Sequence, residues 1–152
     1  MESVIHEITK AIATLQLDQN AVRQLSPDES EATYCEALRK FVSSGDRRWW
    51  WESFHKPCTS ALFKSGDGWR HLPQITPNPD ELVWFIAEDS ELPYNPVFET
   101  SPLIASQIIG ECYGFEYYLV SKDYSWLVCE NHHNVVFAVG NEVEARLLAA
   151  TA

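Results

Sequence analysis

From His71 to Ser121 the chain has no lysine and no arginine, a gap of 51 residues that still holds eight acids. Residues 1–70 carry nine basic and ten acidic side chains, while residues 71–152 carry two basic and twelve acidic ones. The net charge of −11 therefore comes almost entirely from the second part. So few cations exclude nucleic acid as the expected partner, because its phosphates would be repelled. A field of one sign instead suits a basic protein partner.

Other absences narrow the class further. The four cysteines, Cys35, Cys58, Cys112 and Cys129, are widely spread and form no CxxC pair. That argues against a disulfide framework and against a strong zinc signature, and reads as reduced thiols in a cytoplasm. No apolar run approaches the ~20 residues a membrane helix needs. The opening MESVIHEITK has no basic n-region and no long apolar core, so it is no secretory signal. Gly110 and Gly114 follow no strand and precede no Lys-Ser/Thr ending, so neither a dinucleotide nor a P-loop motif is present. No cofactor is expected. Repeats, low-complexity tracts and linkers are lacking too, and 152 residues fit a single domain. Within it, residues 1–45 read as a helical part and 46–152 as a sheet-containing part.

What the chain has in quantity is aromatic residues: six Trp, six Tyr and seven Phe. Each ring buries about 150–250 Å², enough to build much of a core or to anchor an interface.

Periodicity gives the elements. Val4, Ile5, Ile8, Ala11, Ile12 and Leu15 share one helix face. Ser26, Pro27 and Glu29 spell a capping box with proline at the first helical position, and Gly45 is the expected stop. Ser60–Lys64 and Trp69–Leu72 flank Asp67-Gly68 and predict a hairpin. Leu72–Glu81 holds three prolines and reads as a loop. Leu82–Ala87 is a buried strand by length and composition. Thr100 or Ser101 caps a further helix with Pro102 in its first turn. Tyr117–Ser121, Trp126–Glu130 and Val135–Val139 predict a three-strand meander. Asn141 and Glu144 suggest a capped final helix. The sum is an α+β fold, with a mainly antiparallel sheet and helices packed on one face.

Three clusters are candidates for function. The acids Glu88, Asp89 and Glu91 follow the central strand and are candidate partner-binding residues. Trp49, Trp50 and Trp51 cannot all face one core, so at least one is expected on another surface, where it would serve as an anchor. Arg47 and Arg48 beside them would suit base stacking, but the acidic remainder of the chain disfavours it. The third cluster is Glu130, His132 and His133 at a strand end. Cys, Glu and His are all metal-ligand types, yet adjacent residues on a strand point to opposite faces and a zinc site needs three or four converging ligands. No metal is therefore expected. Additional ligands would have to come from Glu111 and Cys112, or from His55 and Cys58. A histidine here would be a general base oriented by Glu130 or Asp123. Cys58 near His55 lacks any family signature of a catalytic cysteine.

Four segments together resemble a family of small bacterial proteins known only as a domain of unknown function: WWWE (49–52), VWFIAED (83–89), IGECYGFEYYLV (109–120) and CENHHNV (129–135). The resemblance covers about residues 47–140 and implies no activity. In size, charge and architecture the chain is also similar to bacterial immunity proteins of the SUKH type, a likeness of fold level without a shared motif. That likeness implies an inhibitor that neutralises a basic toxin by binding it. The expectation is thus a non-enzymatic acidic binding domain. The alternative is a small-molecule or metal-binding enzyme centred on Glu130, His132 and His133. A structural subunit or scaffold is the third.

Overall fold

Asp89 ties the first helix to the sheet, and the rest of the architecture follows from similar long-range anchors. The computed structural model describes residues 3–42, 54 and 58–151. Trp49, Trp50 and Trp51, with Gly45 and His55, lie outside the described residues.

Helix α1 (Val4–Thr14) starts at Ser3, whose Oγ accepts the His6 N–H at 3.3 Å. Its Ile5 N–H donates to Asp89 Oδ2 at 3.0 Å, across 84 residues of sequence. Strand β1 (Val22–Gln24) follows. Helix α2 (Pro27–Phe41) carries the expected capping box: the Glu29 N–H donates to Ser26 Oγ, and the Ser26 N–H donates to Glu29 Oε1. The helix ends at Phe41 rather than at Gly45, because Val42 is already extended and bridges to Phe54.

Strand β2 (Thr59–Leu62) pairs with β7 (Val135–Val139), not with Trp69–Leu72. The expected hairpin is therefore absent. Gly68–His71 forms a 3₁₀ turn that runs straight into α3 (Leu72–Ile75), with Pro73 in its first turn. Leu72 and Ile75, three residues apart, are both fully buried on the side a helix requires. The expected proline-rich loop thus begins as a helix, since proline favours the first turn that it would break further in.

Strands β3 (Val83–Ala87) and β4 (Val97–Thr100), helix α4 (Pro102–Gly110), strands β5 (Tyr117–Val120), β6 (Leu127–Glu130) and β7, and helix α5 (Asn141–Ala150) complete the chain. Ser101 caps α4 through the Ile104 N–H, as expected. The α5 cap is Gly140, not Asn141, and its N–H donates to Glu144 Oε2 at 3.0 Å.

Among the described residues, seven strands form one sheet in the order β1-β4-β3-β5-β6-β7-β2, with every pair antiparallel. The α+β class and the C-terminal meander β5-β6-β7 are as the sequence implied. Alternation along the strands splits the core in two. Phe85, Tyr117, Leu119, Val128 and Val136 face α1, α3, α4 and α5. Ile86, Tyr118, Val120, Leu127 and Cys129 face α2. Four helices thus share one face as expected, and α2 is the exception. Its Tyr34, Ala37, Leu38 and Phe41 cover the second face, which is too apolar to be left to water. The part read as helical also contributes a strand, because β1 adds to the edge beside β4.

Candidate functional site

One end of the sheet gathers the loops that carry the candidate residues. The register row Ala87–Tyr117–Glu130–Val136 marks that end. Just beyond it lie the β3–β4 loop (88–96), the α4–β5 loop (111–116) and the β6–β7 turn (131–134).

In the β3–β4 loop the three acids differ sharply. Asp89 is only 3% exposed. Its Oδ2 accepts the Ile5 N–H, and its Oδ1 accepts the Glu91 N–H at 2.9 Å. Its own N–H donates to Asn95 Oδ1. Asp89 is thereby turned inward, as the link between α1 and the loop. Glu88 is half-buried, and its N–H donates to the Glu116 carbonyl oxygen at 3.0 Å. Glu91 is exposed.

The α4–β5 loop presents a residue that the sequence gave no reason to select. Tyr113 is 98% exposed. Its backbone N–H donates to Glu7 Oε1 at 2.9 Å, which fixes the loop to α1 while the ring stands in solvent. Gly114 has φ +110, a conformation that glycine adopts freely, and turns the chain into β5.

Some acids elsewhere pair with cations. Glu99 pairs with both Arg23 and Lys122, Glu36 with Arg39, and Glu142 with Arg146. The Lys122 and Arg23 bonds hold the Glu99 carboxyl below the usual range. Among the described residues, Glu91 and Glu111 make no ion pair, and both are exposed at the loop end.

Beside Tyr113 opens a cavity of about 370 Å³. Trp69, Ile109 and Phe115 form its apolar walls, and Tyr117, Glu130 and His132 are among its polar lining. Gly110 makes room for one wall: a Cβ there would stand 2.8 Å from the Trp69 ring. Tyr117 and Glu130 are register partners on β5 and β6, so their side chains emerge together on the same face. The Tyr117 hydroxyl donates to Glu130 Oε1 at 2.9 Å. Burial raises the Glu130 carboxyl above the usual range; the Tyr117 bond works the other way, and nearby Asp67 adds to the rise. Burial also pushes the Tyr117 hydroxyl well above its ordinary value, with the Glu130 charge reinforcing it.

The two histidines stand apart from this buried pair. His132 lines the cavity mouth, and both its N–H and its Nδ1 meet Glu116 Oε2, at 2.9 and 2.5 Å. The orienting carboxylate is therefore Glu116, neither Glu130 nor Asp123. Asp123 sits in the β5–β6 turn, where Ser125 donates to it. His133 is exposed and does not line the cavity. Its ring lies 3.9 Å from that of His132, since a turn, unlike a strand, lets neighbouring side chains share a side. Asn131 makes that turn, accepting the His133 and Val135 N–H groups on Oδ1.

Three of the thiols are raised by burial. Burial, then Glu7 and Glu111, pushes Cys112 up to about 12. Burial and Glu144 raise Cys58, and burial raises Cys129 well above its ordinary value. Among the described residues, no three His, Cys, Asp or Glu side chains converge to hold a metal ion, and no helix is long and apolar enough to cross a membrane.

The chain belongs to a family of unknown function, DUF6756, whose model matches residues 2–151. The match takes in the first 45 residues, which carried no resemblance on their own. No curated protein matches the chain, and no solved structure does, so the likeness to SUKH-type immunity proteins is unconfirmed.

Proposed function

We propose that the chain is a binding domain that engages a basic protein through the loop end of its sheet. The observation that carries this is Tyr113, 98% exposed in a loop pinned by Glu7 and bordered by the unpaired acids Glu91 and Glu111. Tyrosine is among the residues that dominate binding energy at interfaces. Acids around an aromatic anchor speed encounter with a basic surface and fix its register, while the ring supplies affinity. Tyr113 of the α4–β5 loop is thus a second anchor candidate beside Trp49–Trp51, which lie outside the described residues. An immunity-type inhibitor of a basic toxin domain is one specific form of this function.

The test is affinity capture from source lysate with three baits: wild type, Tyr113→Ala and the double variant Glu91→Lys/Glu111→Lys. A basic protein held stoichiometrically by wild type, released by salt and lost from both variants, supports the proposal. Equal capture by all three baits would rule this surface out. If the captured protein arrests growth when expressed alone and not when co-expressed with the chain, the immunity form follows.

A small-molecule site at Glu130 and His132 is the second candidate, favoured by the cavity that both residues line.

A further inference from the structure

Glu130 is 8% exposed, yet it lines a cavity whose lining includes no Lys and no Arg. One of its oxygens, Oε1, accepts the Tyr117 hydroxyl. The other, Oε2, accepts no hydrogen bond among the described residues and keeps some exposure. Gly68 leaves the space for it, since a Cβ there would stand 3.0 Å from Oε2. A buried carboxylate is costly unless a cation or hydrogen-bond donors meet it. Among the described residues, the fold supplies it one donor and no cation.

The walls suit an organic cation. The Trp69 and Phe115 rings line the cavity, and aromatic rings attract ammonium and guanidinium groups. Trp69 already carries such a contact, with Arg70 Cζ 4.9 Å from the ring centroid, although Arg70 does not line the cavity. The surrounding charges agree in sign. Asp67 acts on Glu130 from the segment after β2, and Glu116 stands at the mouth with His132. An anion would meet the two lining carboxylates, Glu130 and Glu116, with Asp67 behind them, whereas a cation is drawn by all three. A bare metal ion would need several ligands, and the described residues offer no such group. The volume of about 370 Å³ accommodates a small organic head group.

We propose that this cavity binds a small organic cation bearing N–H donors, an amine or guanidine head group, with Glu130 Oε2 as its acceptor and Trp69 and Phe115 as its walls. The proposal deepens the small-molecule reading of the Glu130 and His132 cavity, which Tyr113 also lines, and does not require that a protein partner bind at Tyr113. Ligand and proton compete for Glu130, so binding strengthens as pH rises through the titration of its carboxyl. The other groups that bear on Glu130 are Tyr117 and Cys129 from the sheet, both raised by burial and neutral there, Asp67 from the loop, and Glu116 and His132 at the mouth.

The experiment titrates methylguanidinium chloride, methylammonium chloride and a capped Gly-Arg-Gly peptide into the full chain. Binding is followed by ¹H–¹⁵N NMR shifts and by calorimetry, at several pH values. The expected result is shifts confined to residues 66–69, 109–117 and 130–134, with affinity rising with pH. Glu130→Gln keeps an acceptor for Tyr117 and is expected to lose affinity at least tenfold and to lose the pH dependence. Phe115→Leu keeps an apolar wall and is expected to bind severalfold more weakly, which serves if the first variant fails to fold. A tighter peptide than free head group assigns the cation to a side chain of a docked protein; the reverse order assigns it to a free small molecule. Either order supports the site. No shifts with any probe, or equal binding by Glu130→Gln, would overturn it.

Discussion

Tyr117 donates its phenolic hydrogen to Glu130 Oε1 at 2.9 Å, between register partners of two adjacent strands. The bond sets a buried carboxyl in the lining of a cavity that opens beside the most exposed aromatic ring among the described residues. Burial raises the Glu130 carboxyl, so the folded state holds its proton to higher pH than the unfolded chain does.

That raised value has a signed consequence for stability. Between the unfolded and the folded titration of Glu130, the folded state binds more protons, so stability falls as pH rises through that window. Glu130→Gln removes this contribution while keeping the acceptor. The variant should therefore gain stability relative to wild type as pH rises through the window, and the gain should vanish in acid below about pH 4, where both forms are neutral. Urea unfolding of both proteins across the acid range measures the difference directly. A difference that does not change with pH would show Glu130 titrating as an ordinary surface carboxyl.

Asp89 is a structural acid despite its place among candidate binding residues. Replacing it with alanine strands the Ile5 and Glu91 N–H groups. Bonds to a charged acceptor are worth about 1.5–3 kcal/mol, so Asp89→Ala should cost about 2 kcal/mol. Chemical denaturation gives the total, and faster amide exchange in α1 identifies the element that loosens.

Gly140 has φ +120 and ψ 138, a region that side chains seldom enter. A Cβ there would also stand 3.0 Å from the Ser125 carbonyl oxygen, a backbone atom that cannot swing aside. Gly140→Ala should destabilise the fold by roughly 1–3 kcal/mol. A thermal melt within the error of wild type would contradict the backbone path into α5.

Tyr113→Ala should separate binding from stability. The ring is 98% exposed and only its backbone is tied down, by Glu7. Surface substitutions of this kind change stability by less than about 0.5 kcal/mol. An interface anchor contributes at least ~2 kcal/mol to affinity, which is more than tenfold in Kd. Calorimetry with the captured partner and a parallel melt read both quantities.

Local signals carried much of this structure. The Ser26–Glu29 box, Ser101 before Pro102, and the apolar runs of β3, β5, β6 and β7 each act over a few residues, and each formed as the sequence implied. Strands β1 and β4 were illegible because three- and four-residue segments are too short to show alternation, and β1 exists only through its ladder to β4. Trp69–Leu72 looked like a strand after an Asp-Gly turn. Packing of Trp69 against Gly110, with the Ser106 hydroxyl on its carbonyl oxygen, selected a helical turn instead.

The site was partly legible for the same reason. Its acids and histidines could be named from composition, but not sorted. Asp89 and Glu91 are two residues apart, and only long-range contacts turn the first inward and leave the second in water. The pairing of His132 with Glu116 spans 16 residues, and that of Tyr117 with Glu130 spans 13. Tyr113 carried no sequence signal beyond its place before Gly114, since exposure is a property of the assembled loops.

The central claim is that the loop end of the sheet is the binding surface. Amide hydrogen exchange of the chain, with and without the captured basic protein, tests it most directly. Slowed exchange is expected in residues 88–95 and 111–116, with little change along β2 and α5. Slowing confined to the β2 edge or to α5, with the loop end unaffected, would contradict it.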